Sequence, residues 1–357
     1  MRAWLWALSF TTWLAGAPAR AADWTPYVRL DAFAHAEPVP IQDYLKDWDA
    51  PLKKNADALT RNRVETGVQY GNWRIAYVQS FDYELKAGRE TAAFYHQVRN
   101  RIPFASGQRF ALDLDPYHLR RQGLRLAHRW QLGPVAVEPA VNLLQGIKLI
   151  DGRVRGLVTA QGGGNYDYEA AVDYTYSEDD LFDREVAAPS GKGLSLDLNL
   201  AWAPAPGWLL RAEMTDLLGE MNWRDAPRTL AIASSDNKEF DEQGFVRYRP
   251  ALSGREFNQD YTQRIRPQAQ LFAEWAVDPV YTVGAQWRLT EVGHYPGLSA
   301  RRRFSPQLSL QFESLPVQRA YGLGLRYRQF SLDWLSDRLQ FDDAHLLQVR
   351  LGGAWTF

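Results

Sequence analysis

The last thirteen residues, His345-Leu-Leu-Gln-Val-Arg-Leu-Gly-Gly-Ala-Trp-Thr-Phe357, alternate in polarity one residue at a time. Leu347, Val349, Leu351, Trp355 and Phe357 share one parity, with Gly353 among them. Gln348, Arg350, Gly352, Ala354 and Thr356 share the other. Successive side chains of a strand point to opposite faces, so this stretch reads as a strand with one apolar and one wet face. The pattern recurs through the chain. Leu194, Leu196, Leu198, Leu200 and Trp202 alternate with Ser195, Asp197, Asn199 and Ala201. Tyr281, Val283, Ala285, Trp287 and Leu289 alternate with Thr282, Gly284, Gln286 and Arg288. Comparable stripes run over 73–83, 166–176 and 321–327.

Such strands suit a soluble sandwich, with the apolar face as core, or a transmembrane barrel, with that face towards lipid. Three features favour the barrel. Aromatic residues sit at the ends of the apolar stripes (Tyr281, Trp202, Trp355, Tyr166, Tyr176), as expected of two interface girdles. Ionisable residues of both signs recur on the wet faces, which suits a hydrated interior. Trp355 and Phe357 close the last stripe in a way that resembles the C-terminal signature by which the assembly machinery of the outer membrane recognises bacterial barrels. The expectation is an all-β, antiparallel up-and-down transmembrane β-barrel. At ~10 residues per strand and a similar average connection, it has roughly 14 strands, with 12 to 16 admissible.

The start of the chain fits an envelope protein. Arg2, the apolar run Ala3–Leu14 and small residues at Ala19 and Ala21 have the three-part pattern of a secretory signal peptide over 1–21. Residues 22–357 then form the barrel. Of the 357 residues 46% are hydrophobic and 23% charged, and none is cysteine, so disulfides, thiolate metal sites and cysteine nucleophiles are excluded. The mean hydropathy of -0.41 excludes a polytopic helical membrane protein. A net charge of -1 lacks the basic bias of a nucleic-acid binder.

Gly71-Asn72, Gly133-Pro134 and Asp278-Pro279 read as tight turns at the periplasmic end. Stretches 36–60, 86–108, 178–192, 224–263 and 291–304 read as longer connections. The stripe of 319–327 changes register at Arg328-Gln329, and one long bulged strand keeps Asp278-Pro279 periplasmic. The segment Gly191–Trp202, followed by Trp208-Leu-Leu-Arg-Ala-Glu-Met-Thr-Asp-Leu-Leu-Gly219 and Trp223, resembles a strand hairpin in uncharacterised barrels of the FadL/TraF-like group. That group belongs with the long-chain fatty-acid transporter superfamily of outer-membrane barrels. The likeness covers roughly 140–225 and bears on fold more than on transport.

Chemistry is sparser. The six histidines are scattered, with no His-x-x-x-His pair and no serine two residues away, so no metal, cofactor or catalytic serine site is expected. Asp342, Asp343 and His345 match a fragment of a protease-type acid–base site, but an acidic loop before the last strand explains them as well. Arg301-Arg302-Arg303 falls in the expected outer connection 291–304, where it is either an ordinary solvated loop or a set of forks for lipopolysaccharide phosphates. Arg74, Arg125, Arg129, Arg211, Arg288, Arg326 and Arg350 fall on wet faces, as do Glu65, Asp82, Glu169, Asp173, Asp197, Glu213 and Glu274. They line the expected lumen, interlocked if it is narrow and bordering a pore if it is wide; the mixture of signs predicts no strong ion preference. The function expected is a non-enzymatic outer-membrane barrel, either a channel or transporter or an accessory subunit of an envelope export system. A barrel enzyme acting on lipid or peptide and a soluble periplasmic β-protein are the alternatives.

Overall fold

Fourteen antiparallel strands close into a barrel with no free edge. The computed structural model describes residues 24–355 except 45, 47, 54, 55, 180–184, 236, 237, 241–245 and 249–251. The expected leader over 1–21 and Phe357 lie outside the described residues. The wall strands are β1 (Trp24–Ala36), β2 (Ala58–Tyr70), β3 (Trp73–Ala87), β4 (Arg109–His128), β5 (Val135–Gly162), β6 (Ser190–Trp202) and β7 (Trp208–Ser234). They continue with β8 (Gln268–Ala276), β9 (Tyr281–Leu289), β10 (His294–Arg303), β11 (Leu308–Leu315), β12 (Ala320–Tyr327), β13 (Phe330–Ser336) and β14 (Leu346–Ala354). Each pairs with its sequence neighbours, and β1 closes on β14 from Tyr27↔Ala354 to His35↔Leu346. Closure satisfies every wall hydrogen bond within the sheet, the condition for a sheet to stand in a medium without water.

The two ends differ. The terminal end carries both ends of the described chain and the short turns at 71–72, 133–134, 203–207, 277–280, 304–307 and 328–329. The distal end carries the long excursions. α1 (Ile41–Tyr44) and α2 (Arg89–Arg99) cap it, with Val39, Trp48, Ala56 and Ala92 as a small core. The wall is also lopsided. Strands β8–β14 have 7 to 10 residues, whereas β5 has 28 and β7 has 27. About 9–11 tilted residues cross a bilayer, so β5 and β7 run far past the wall. Their outer halves pair with strands Asn165–Tyr176 and Leu252–Arg264 to form a distal lobe.

The outside of the wall is apolar and exposed. Trp24, Tyr70, Trp73, Trp130, Trp202, Trp208, Trp275, Tyr281, Phe304, Tyr327, Phe330 and Trp355 ring the terminal end, each at least 40% exposed. Ile75, Leu124, Leu143, Leu194, Val283, Leu298, Leu310, Leu323 and Leu332 cover the belt above them. A soluble monomer rarely exposes a contiguous apolar patch beyond ~600 Å². A predominantly apolar belt with an aromatic girdle is the exterior of a membrane-spanning barrel. The interior is the reverse: Ser195, Asp197, Asn199, Arg288 and Gln348 are buried inside.

Four expectations need correction. The 291–304 stretch is strand β10, paired from Leu289↔His294 to Tyr281↔Arg302; the true turn is 290–293, held by Thr290 Oγ1 and the Gly293 carbonyl at 2.9 Å. Its outward face, Pro296, Leu298, Ala300 and Arg302, is too weakly apolar to announce a strand. The register change after 327 is a hairpin, with Tyr327 opposite Phe330 and Arg328 at φ 53°, and not a bulged strand. Each correction adds one strand, so together they preserve the side on which Asp278-Pro279 lies. The 224–263 stretch is largely the outer part of β7 and its partner Leu252–Arg264. Tyr166–Tyr176 belongs to the lobe, and its apolar face is buried against Phe94, Phe104, Phe110 and Val158 at one end and Val154 at the other, away from lipid.

The face assignment is directly testable. Val283→Arg and Leu198→Arg should each destabilise the barrel by about 2–4 kcal/mol, the cost of arginine near the midplane of a barrel's lipid face. Gln286→Arg should cost far less, because the side chain of Gln286 already meets the Glu313 carboxylate inside. Urea unfolding in lipid vesicles reads the contrast; equal losses at Val283 and Gln286 would refute it.

Candidate functional site: a two-storey lumen

The pleat aims every second side chain of fourteen strands at the axis, and at the level of β2–β7 many of these are charged. In the distal storey they interlock. Arg61 donates to Glu84 Oε1 at 2.6 Å and to the Arg266 carbonyl at 2.9 Å, while Arg266 meets the other Glu84 oxygen. Arg61 also lies 3.6 Å from Asp82. Arg121, 2% exposed, bridges Asp82 on β3 and Asp216 on β7, the latter at 2.5 Å. Asp216 can present its carboxylate there because β7 bulges opposite Asp197. It adopts φ 54°, and its N–H donates to Asp197 Oδ1 at 3.0 Å. Left-handed backbone is costly for a non-glycine residue unless its surroundings fix it, and these bonds do so.

Apolar groups fill the space around the ladder. Tyr117, Leu119, Leu149, Met221, Trp223 and Ile265 are all at most 1% exposed. Trp223 lies flat on Gly146 and Gly191, where an added Cβ would fall 2.3 and 2.6 Å from the indole. On the short side Phe33, Leu59, Tyr295, Leu315, Leu335 and Leu346 form a second plug, with the Arg288 guanidinium 4.5 Å over the Phe33 ring. Above it the cap is tied to the last loop. Ile41 N–H donates to the Ala344 carbonyl at 2.8 Å, and His345 Nδ1 lies 2.8 Å from the Ala36 carbonyl. Burial, with help from Lys53 and Arg338, holds the His345 pKa below its ordinary value; the Ala36 bond and Asp337 oppose this. Its ring nitrogen is spent on the backbone, while Asp342 and Asp343 lie exposed on a 3-10 turn, so the protease-like fragment does not assemble into a site.

The terminal storey is hollow. A cavity of about 460 Å³ extends from the level of Arg125 and Asp197 to the turns around Ser305 and Arg328, where it meets solvent. Of the expected lumen residues, Arg125, Arg211, Glu213, Arg326 and Arg350 line it together with Glu65, Asp197 and Glu274. Arg288 stands just above, bonded to Asp31 at 2.9 Å, and Arg74 stands beside it, bonded to Glu138 at 3.1 Å. Asp82 belongs to the distal ladder. Arg129 sits in the terminal-end turn after β4, and Glu169 and Asp173 lie on the lobe, so these three are not lumen residues. Arg301-Arg302-Arg303 is likewise at the terminal end and not in a distal loop. Arg301 and Arg303 line the cavity, and Arg302 points out over Tyr281 and Phe304. The lining holds nine arginines and six carboxylates, so the expected balance of signs gives way to an excess of three positive charges.

Sequence reading missed Arg61, Arg63, Arg121, Asp216, Glu84, Glu138 and Arg328. Parity carried a signal for Arg61 and Arg63, which share that of Glu65, for Glu84, which shares that of Asp82, and for Arg121, which shares that of Arg125; opposite Arg61 and Arg63, Thr60, Asn62, Val64 and Thr66 are too polar to mark the strand.

The sequence matches no protein-family model and no curated protein. Among solved structures it is similar to the Pseudomonas putida toluene transporter TodX, at 10% identity and a TM-score of 0.43, covering 95% of this chain and 91% of that one. It is also similar to the CymD monoaromatic hydrocarbon channel, at 9% identity and a TM-score of 0.27 over 95% and 89%. A Pseudomonas aeruginosa FadL homologue aligns at 10% identity and a TM-score of 0.23 over 93% and 87%. Likeness this loose transfers no substrate.

The ladder has a measurable signature. Arg121→Ala leaves Asp216 buried without its cation and Asp82 with Arg61 alone at 3.6 Å, and should cost about 3–5 kcal/mol. Arg155 pairs with Asp113 and Asp115 on the exposed lobe, where a surface ion pair is worth ~1 kcal/mol or less, so Arg155→Ala should be mild. Urea unfolding of the two variants separates them; similar losses would mean that Arg121 is not a keystone.

Proposed function

We propose that the chain is an outer-membrane β-barrel that handles a small polar solute from the periplasmic side, as a gated channel or transporter and not as an enzyme. In this reading the terminal end faces the periplasm and the distal lobe faces outward. Lipid and lipopolysaccharide surround the apolar belt, and the assembly machinery receives the aromatic C-terminal stripe. The observation that carries the reading is the contrast within one lumen: a hydrated, charged cavity open at the terminal end, and interlocked side chains filling the distal end. A standing pore needs a continuous aqueous path, which the ladder and the two apolar plugs interrupt. A catalytic barrel needs converging acid, base and nucleophile, whereas the arginines and carboxylates of this lumen are engaged largely with one another. An accessory role in envelope export suits the blind lumen as well.

The test is fractionation with a heat-modifiability gel, followed by planar-bilayer recording. The protein should enter the outer-membrane fraction, migrate differently when unboiled, and give no large steady conductance. Recovery as a soluble protein would refute the membrane reading, and a steady ohmic pore would refute the gated one.

A further inference from the structure

We propose that the terminal cavity is a binding site for a small divalent oxyanion, of the phosphate or dicarboxylate type, entering through a crescent of arginines on β10–β12. The proposal rests on the reading of the terminal end as periplasmic only for its biological direction; the chemistry stands on the cavity itself. Arg301 and Arg303 are successive inward residues of β10, Arg326 is their counterpart on β12, and Arg328 follows on the 328–329 turn, where it lines the mouth of the cavity with its guanidinium 5.4 Å from the Tyr327 ring. Between them β11 offers Ser309, opposite both Arg303 and Arg326, and Gln311. The crescent therefore surrounds neutral hydrogen-bonding groups and no carboxylate on the intervening strand at this level.

The deeper pair is partly neutralised. Arg301 meets Glu274 at 3.1 Å, and Arg326 lies 3.5 Å from Asp333. The outer pair is not: among the described residues no carboxylate lies within ion-pair distance of Arg303 or Arg328, and both reach solvent at the mouth. Guanidinium groups present fixed forks of donors that match the oxygens of phosphate and carboxylate. Low-dielectric walls focus the field of an uneven charge lining towards the axis. At about 460 Å³ the cavity falls in the size range of small-molecule pockets, roughly 300–1,000 Å³. Its charge makes it a poor home for a hydrocarbon. The excess of three positive charges in the lining persists when the residues just behind are included, because Arg74 and Arg288 there offset Glu138 and Glu313.

The same oxyanion chemistry occurs on phospholipid headgroups at the periplasmic leaflet, so the experiment has two arms. Purified barrel in a zwitterionic detergent is titrated calorimetrically with inorganic phosphate and with succinate at low ionic strength. In parallel it is reconstituted in phosphatidylcholine vesicles with and without phosphatidylglycerol before the phosphate titration. The expected result is saturable binding of phosphate or succinate that Arg303→Gln/Arg328→Gln weakens at least tenfold and that Arg302→Gln, on the outer face, leaves unchanged. Binding should be the same with and without phosphatidylglycerol. The proposal is overturned if neither ion binds, if the double variant binds like wild type, or if phosphatidylglycerol abolishes binding. Because the ions are titrated in detergent, failure here leaves the outer-membrane reading standing, and failure of the fractionation test leaves this measurement intact.

Discussion

Everything in this molecule depends on the closure of β1 against β14. A sheet joined to itself has no unpaired edge, so its backbone polarity is satisfied within the wall and its outer surface can be given over to apolar side chains. Closure also creates the inside. Once residues such as Val283 and Trp287 must face out, the pleat forces Gln286 and Arg288 inward, and the same rule applied round the barrel concentrates charge along one axis. The guanidinium–carboxylate ladder from Glu84 through Arg61, Asp82 and Arg121 to Asp216 is the consequence. These groups have little water, and pairing with one another is what makes their burial tolerable.

The barrel divides its length between two uses of that inward charge. Where the long strands β2–β7 face one another, ladder and aromatic side chains occupy the axis, and Trp223 closes on glycines that leave it room. Where the short strands β8–β14 form the wall at the terminal end, small groups such as Ser299, Ser309 and Ser331 alternate with arginines, and space remains. The lopsided strand lengths matter for the same reason. They raise the lobe on one flank, while the cap that follows β1 is bonded to the loop before the neighbouring β14. The cavity thus communicates with one side and is separated from the other by packed side chains.

Much of this was legible from alternation alone, because lipid and lumen select opposite residue types at adjacent positions. The last strand, Leu194–Trp202 and Tyr281–Leu289 announced both their conformation and their faces. Alternation does not name the medium that an apolar face meets, which is why Tyr166–Tyr176 looked like a membrane strand while its tyrosines pack inside a lobe. Strands with a weak outward face, such as β10 with Pro296 and Arg302, were hidden. The lumen arginines were recognisable as inward, but not their storey: Arg121 and Arg125 sit four residues apart on one strand, one in the ladder and one at the cavity. Asp216 carries no sequence signal, since its role comes from a bulge set by its partners.

The central claim is that the lumen opens to one side only, and the absence of cysteine from the sequence gives a clean background for testing it. Ser309→Cys places a thiol in the cavity and Val317→Cys places one on the exposed distal turn after β11. Intact cells are treated with a maleimide too bulky for general porins, and the treatment is repeated after osmotic lysis admits the reagent to the periplasm. The account predicts that Val317→Cys is labelled in both conditions and Ser309→Cys only after lysis. Labelling of Ser309→Cys in intact cells at the rate of Val317→Cys would contradict it.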